Sequence, residues 1–454
     1  MTYLPPELWE LIAQFLLHTD PSDPFFGPYD THSVSQLCLT SKTLNKICTP
    51  VLYKDLAPSR PADIDAGLFQ ALIQSSQLAQ QVKFLTLEHG GCGLWQSWSK
   101  LTPAVRDVYK QYLQTLDTMK SNRSFTSCNR QIIEGILEHE RDDESEELCT
   151  ETSQSILLSH LPNLRELTLE TTGFLPGVPQ GVLSKLRKVI LKEASYGQYI
   201  LEFSNLRFLA EAATNIDTLS IVDHNLDFFD DGLGSSASPM FPMVTTLSIS
   251  GPNFCGLQHS AAEFIRAFSR LQTFRVKVLE RVDSPRKPKI ISLLQAVSYD
   301  APQLKHLCLK DGRSDPHRRQ EEIRDLWLGA LDELPQLTRL QSLTIDMVVL
   351  YPDASRKNDS LRLVNILPED LHHLHIRADN DDWLWLCQVQ ASFCELARVI
   401  VEENRFRHLK RITFTSKIMR GRIGKALDAL KEAGVPMVRT ASPWDDEDGL
   451  FKGA

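Results

Sequence analysis

What this sequence lacks sets its first limits. No apolar run approaches about eighteen residues, the length at which a helix spans a bilayer, so no membrane span is expected. The nine cysteines include no CxxC pair and their number is odd. Scattered thiols of this kind fit a reducing compartment better than a disulfide framework or a cysteine-held metal. Basic residues show no excess. The net charge is −9, which argues against a generic nucleic-acid binder. The N-terminus is apolar but carries Glu7 and Glu10 and no basic stretch, so no signal peptide is expected and the location implied is cytoplasm or nucleus. The motifs of catalysis are also missing. No GxSxG, HExxH or kinase signature occurs. Gly90-Gly91-Cys92-Gly93 lacks the GxGxxG spacing, and Gly424-Lys425 lacks the upstream glycine of a phosphate loop.

What is present describes a large globular chain. With 454 residues, 42% hydrophobic and 24% charged, it can bury an extensive core and has room for two or three domains. At the start, Leu8, Leu11, Ile12, Phe15 and Leu16 fall at i, i+3, i+4, i+7 and i+8, one stripe of an amphipathic helix of about three turns. Pro5 and Pro6 suit a helix start, where a missing amide costs nothing. Glu7 and Glu10 place negative charge near the positive end of the helix dipole. Leu44, Ile47, Cys48, Val51 and Leu52 repeat the same spacing. Two short helices make a small core, so this unit is expected to lean on the following domain, on a partner, or on both.

The order Leu4-Pro5-x-Glu7-Leu8, Ile12, Phe15-Leu16, Leu37-x-Leu39-Thr40-Ser41-Lys42-x-Leu44, Ile47 and Pro50-Val51-Leu52-Tyr53 resembles the F-box. That module of three helices docks substrate receptors onto the Skp-type adaptor of cullin–RING (SCF) ubiquitin ligases. The resemblance implies adaptor contacts through Leu4, Pro5, Glu7, Leu8, Ile12, Phe15, Leu16, Leu37, Leu39, Lys42, Leu44 and Ile47. A polar loop over residues 19–33 lengthens the connection between the first two helices.

Beyond Pro58 and Pro61, which read as a hinge over 57–63, a helix is expected over 65–81 and a strand over 82–87. A repeat follows: an apolar residue, two others, then an apolar-x-apolar strand. Its copies begin at Leu164, Leu186, Ile216, Val244, Leu271, Leu304, Leu340, Leu371 and Leu409. Leu167 and Ile412, equivalent positions of the first and last copies, lie eight intervals apart, about thirty-one residues per repeat. Helical spacing fills most gaps, over 260–270, 289–299, 320–333 and 383–404, with a final helix at 423–433 and a strand at 435–438.

One strand and one helix per repeat predict an α/β solenoid with stacked parallel strands and outer helices. This resembles a leucine-rich-repeat domain, although Asn225, Asn253 and Asn380 fall one residue later than that family's asparagine. The domains expected are an F-box at 1–56, an irregular leucine-rich-repeat-like solenoid at 57–440 and an acidic tail at 441–454. A helical and acidic insertion interrupts the solenoid at about 94–158; its stretch 138–151 holds eight acidic residues against Arg141 alone.

Because strand side chains alternate, residues flanking each apolar pair are expected on the exposed inner face. Early repeats place Glu166, Thr168 and Glu170 there, and middle ones Thr218, Ser220, Thr246 and Ser248. Late ones place Arg275, Lys277, His306, Lys310, His373, His375, Arg377 and Arg411, so the face is expected to grade from acidic to basic. Residues 405–425 add eight basic residues and no acid. A substrate surface for an acidic or phosphorylated segment is therefore placed on Arg275, Lys277, Lys310, His373, His375, Arg377 and Arg411; the competing reading is solvated charge, or charge neutralised by the acidic loop. His373 and His375 could pair on a metal but lack a third ligand, and Cys387 and Cys394 read as packing residues. No catalytic constellation, cofactor or metal is expected. The expected function is a non-enzymatic substrate receptor bound to the Skp-type adaptor and cullin, presenting a protein target, with no nucleic acid and no membrane. The alternative is a repeat scaffold without a ligase role.

Overall fold

The computed structural model describes residues 4–17, 31–56, 66–87, 107, 110–111, 154–171, 178–193, 200–202, 206–222, 225–227, 239–251, 254–255, 257–278, 290–312, 327, 329–351, 359–378, 383–416 and 423–440. The chain forms two compact units, Met1–Tyr199 with Asn205–Asp217, and Ile200–Ser204 with Thr218–Ala454.

The first unit opens with three helices, α1 (Pro6–Leu17), α2 (Thr31–Thr40) and α3 (Lys42–Lys54). Ser41 separates the last two. Its Oγ accepts the Leu44 amide at 3.1 Å and caps α3, supplying a partner for an amide the first turn cannot satisfy. Ala13, Val34, Cys38, Cys48 and Val51 form a small core, with Leu16, Leu37, Ile47 and Leu52 packed against it. The helices do not stand apart from the sheet. Helix α3 runs into β1 (Asp55–Leu56), which pairs in parallel with β2 (Phe84–Leu87).

The helix expected over 65–81 is two pieces, α4 (Ala66–Gln74) and α5 (Ser76–Ala79). Ser75 makes the break, because its Oγ accepts the Leu78 amide at 3.3 Å and starts a new helix. Residues 154–159 are helical and bury Ile156, Leu157 and Leu158. Strands β3 (Glu166–Thr171) and β4 (Lys188–Glu193) extend the parallel order β1-β2-β3-β4. Helix α6 (Leu206–Ala212) also belongs to this unit; its Glu211 and Ala212 carbonyls accept the Gly181 and Leu183 amides, each at 3.0 Å.

The second unit repeats the scheme. Strands β5 (Ile200–Glu202), β7 (Asn225–Asp227) and β9 (Phe254–Cys255) form a small parallel sheet. Strands β6 (Thr218–Val222), β8 (Thr246–Gly251), β10 (Thr273–Val278), β11 (His306–Asp311), β12 (Ser342–Asp346), β13 (His373–Ala378), β14 (Arg411–Ser416) and β15 (Met437–Thr440) form the large one, in that order. Helix α7 (Leu257–Arg266) precedes β10 and α8 (Ile290–Asp300) precedes β11. A 3₁₀ segment, Ala330–Gln336, precedes β12. The short α9 (Met347–Leu350) and α10 (Arg362–Ile366) precede β13, α11 (Trp383–Glu402) precedes β14, and α12 (Gly424–Glu432) precedes β15.

In both units strand order follows chain order, whereas a doubly wound sheet reverses at a switch point. The sheet is open and the arrangement solenoid-like. Registers are straight. Leu219, Leu247, Phe274, Leu307, Leu343, Leu374 and Ile412 form one column, and Ile221, Ile249, Val276, Leu309, Ile345, Ile376 and Phe414 the next. All fourteen are at most 2% exposed, and each contributes about 1.5–3 kcal/mol by burial.

Each coil enters its strand the same way. A turn closes on the first apolar residue, as in Leu164 N to Leu161 O (3.2 Å), Leu186 N to Leu183 O (3.0 Å) and Leu340 N to Leu337 O (2.9 Å). The next residue's carbonyl then accepts two amides of the following coil. Gln272 O takes Lys305 N and His306 N at 2.8 and 2.9 Å; Lys305 O takes Gln341 N and Ser342 N at the same distances. Asn163 and Asn215 stand just before the first apolar residue, and each amide nitrogen donates to a carbonyl of the preceding coil, Gln80 O (2.7 Å) and Ser184 O (2.8 Å).

Of the loop expected over 19–33, residues 31–33 are the first turn of α2. The remainder of that loop, the hinge at 57–63, the glycine cluster at 90–93, most of the insertion at 94–158, the part of the 320–333 helix before Trp327, and the tail at 441–454 lie outside the described residues. Among the described residues no helix is long and apolar enough to cross a membrane.

Candidate functional site

The twelve residues of the N-terminal motif separate by what they touch. Leu16, Leu37 and Ile47 pack on the core of the three helices. Leu4, Leu8, Phe15 and Leu39 are exposed, Phe15 by 79% and Leu39 by 77%. Ile12 and Leu44 are half-buried, and Pro5, Glu7 and Lys42 are exposed. Leu11 joins the exposed set at 58%. On α1 the fully buried position is Ala13, with Leu16 packed on the same core, while Leu8, Leu11 and Phe15 remain exposed. Leu8, Leu11 and Phe15 lie at i, i+3 and i+7, one face of the helix. Five of the nine exposed large hydrophobics among the described residues fall within the first 39 residues.

The inner face of the sheet differs from the expected gradient. In the first unit the acids of β3 meet bases of β4: Lys188 Nζ lies 3.1 Å from Glu166 Oε2, and Glu170 is in register with Lys192. In the second unit Ser220 and Ser248 are buried. The late basic residues divide. Arg411 and His373 are exposed, and Arg275, Lys277 and His375 are half-buried; the His375 Nε2 pairs with Thr415 Oγ1 at 2.8 Å. Lys310 and Arg377 are 7% and 4% exposed, so in this conformation they do not offer their charges to a partner.

They belong instead to a buried polar row across β11, β12 and β13. Arg377 Nε lies 3.7 Å from Asp346 Oδ1. Asp346 Oδ2 accepts the Asp311 amide at 2.8 Å, and Asp311 Oδ2 accepts the Trp327 indole N–H at 3.3 Å. Trp327 is itself fully buried. Cys308, one row below, has its thiol pushed up to about 11 by desolvation, against the opposing pull of Lys310. It is a poor nucleophile.

The strand-entry edge carries the accessible charge. A cleft of about 360 Å³ is lined by Gln272, Gln303, Lys305, Thr338, Arg339, Gln341, Asp370 and His372. Beyond it, Glu369 binds Arg405 (3.1 Å) and Asp370 lies 3.8 Å from the His408 ring nitrogen. Arg407 donates to the Asn404 carbonyl at 3.0 Å. Phe406 holds a left-handed backbone (φ 53°), a costly state for an aromatic residue, offset by burying its ring. Lys425 is exposed on α12, while Lys417, Arg420 and Arg422 lie outside the described residues.

Histidines concentrate at this edge, with His372 beside His373 and His408. His306 is held below its ordinary value by desolvation, then by Lys305, Arg275 and His373. His372 is lowered by desolvation, then by Lys410, His408 and His373, against the opposing pull of Asp370. A base whose folded value is depressed contributes stability above its unfolded value of about 6.5 and loses it as pH falls from there through the lower folded value. The melting temperature of the wild type is therefore expected to drop between about pH 7.5 and about pH 5.5, and to drop less in a His306→Gln/His372→Gln variant. Equal drops in the two proteins would refute this. Among the described residues no cluster of three or more metal-ligating side chains occurs.

No protein-family model matches the chain, and no curated protein matches it. Function rests on the surfaces themselves.

Proposed function

We propose that this chain is the substrate-recognition subunit of an SCF-type cullin–RING ubiquitin ligase. In that reading α1–α3 are an F-box, the strand–helix coils are leucine-rich-repeat-like, and the protein makes no bond itself. It acts by proximity: tethering a target raises the effective concentration of its lysines near the ubiquitin-transfer site. The observation that carries the reading is the uncovered apolar face of α1, Leu8, Leu11 and Phe15, on the motif that resembles an adaptor-docking helix. A docking surface of this kind concentrates its binding energy in a few large apolar side chains.

The test is co-purification with a recombinant Skp-type adaptor. Leu8→Asp and Phe15→Asp each place a charge on the exposed face, so the fold is expected to survive with its melting temperature nearly unchanged. Adaptor affinity is expected to fall by about thirtyfold or more, the scale of a hot-spot side chain. Failure of the wild type to bind any Skp-type adaptor would sink the proposal.

One observation favours a second reading. Because α3 leads into β1, and β1 pairs with β2, the helices also serve as an end cap for the sheet. Solenoids need such caps for solubility. A repeat scaffold with a capping helical module would show the same pairing and no adaptor binding.

A further inference from the structure

We infer that the strand-entry edge of the second unit is a groove for an extended, carboxylate-rich segment of a protein partner. This rests on the receptor reading above in one respect only, that the partner is the target being presented.

The groove arises from the repeat. Gln272, Lys305, Gln341 and His372 occupy the same position in four successive coils, joined by the paired-amide carbonyl contacts. Parallel strands lie about 4.8 Å apart, so the four positions span about 14 Å. At about 3.3 Å per residue, that length accommodates roughly four residues of extended chain. The turn residues Gln303, Thr338, Arg339 and Asp370 form the other wall.

The chemistry selects the ligand. Lys305 and Arg339 are exposed, and among the described residues neither side chain enters an ion pair or a hydrogen bond. Of the nearby acids, Glu369 is paired with Arg405, and Asp370, on the groove wall, lies 3.8 Å from the His408 ring nitrogen. The groove thus holds two cations, neither paired among the described residues, against the single carboxylate of Asp370. Beside them Gln272, Gln303 and Gln341 carry amides that donate to carboxylates or accept from a peptide backbone. Arg339 can hold a carboxylate with two parallel bonds. Two cations set among three amides match a polar peptide carrying carboxylates better than a uniform polyanion.

The experiment uses the full-length protein and fluorescence anisotropy at low and physiological salt. The probes are a labelled short peptide of alternating glutamate and serine, its glutamine counterpart, and a single-stranded oligonucleotide of equal net charge. The acidic peptide is expected to bind, more weakly as salt rises, and the glutamine peptide to bind at least about tenfold more weakly. Lys305→Glu/Arg339→Glu is expected to lose at least about tenfold in affinity for the acidic peptide. Lys431→Glu, a single reversal on α12 outside the groove, is expected to leave it unchanged. Equal binding of the acidic and glutamine peptides overturns the inference. So does an oligonucleotide that binds as well as the acidic peptide, or an unaltered double variant. Adaptor co-purification, measured on the same proteins, separates the two claims. A groove variant that keeps the adaptor leaves the receptor reading standing whatever the peptide result. A wild type that binds the peptide but no adaptor leaves the groove standing.

Discussion

Asp346→Ala is expected to destabilise the protein by about 3–5 kcal/mol, the scale for removing one partner of a buried ion pair. Its carboxylate performs two tasks: one oxygen accepts the Asp311 amide and the other faces the Arg377 guanidinium. Both side chains of the ion pair are nearly sealed from water, at 7% and 4% exposure. Alanine leaves a guanidinium in a low-dielectric layer, where its desolvation is no longer offset. Asp346→Asn keeps an acceptor for the amide and removes only the charge, so its cost isolates the electrostatic part. Replacing both partners together, Asp346→Leu with Arg377→Met, is expected to recover only part of the loss, because the guanidinium is no longer left unpaired but the buried Asp311 amide still lacks its acceptor. Urea unfolding at constant m-value measures all three variants. An alanine variant as stable as the wild type would show that the row is hydrated, contrary to its burial.

Phe414→Ala carries the second large effect. Phe414 is fully buried in β14 and meets the Phe393 ring edge-on, with centroids 6.3 Å apart. Phe393 projects from α11, so the pair fixes the longest described helix of the second unit to its sheet. Truncation opens a cavity that the neighbouring columns fill poorly, because Ile376 and Ile412 are anchored by their own strands. The expected loss is about 3–5 kcal/mol. A double-mutant cycle with Phe393→Leu is expected to return about 0.5–1.5 kcal/mol of coupling, the part that belongs to ring geometry rather than to burial. Thermal or urea unfolding reads it, and a cycle that closes to zero would assign the whole effect to burial.

The strands were legible in the sequence because their signal is a local one. Leu167-x-Leu169 and its eight relatives combine a period of two with a fixed apolar residue three positions earlier, and few other arrangements satisfy both. Helix limits were less so. Ser75 looks like one polar residue inside a helix until its hydroxyl is seen to cap the next segment. Alternation also identified which face Lys310 and Arg377 occupy, but a face is not an exposure: Asp346 and Trp327 come from other parts of the chain. The charge gradient failed for a similar reason, since Lys188 and Lys192 of β4 neighbour Glu166 and Glu170 only once the strands are stacked. The groove has a visible signal in the sequence, a polar residue immediately after the first apolar position in every repeat. Likewise Asn163 and Asn215 precede that position, whereas the asparagine of leucine-rich repeats follows the strand.

The straight registers have a consequence for how such a chain can change. Each coil of a unit presents its neighbours with the same backbone edge, carbonyl for carbonyl, whatever its side chains or the length of its helix. Adding or removing one whole coil within the second unit would therefore preserve the joints on either side, while cutting within a coil would strand a turn without its strand. The architecture is tolerant of change in whole coils and brittle within them, so lineages can lengthen or shorten its strand-entry edge without redesigning the interior.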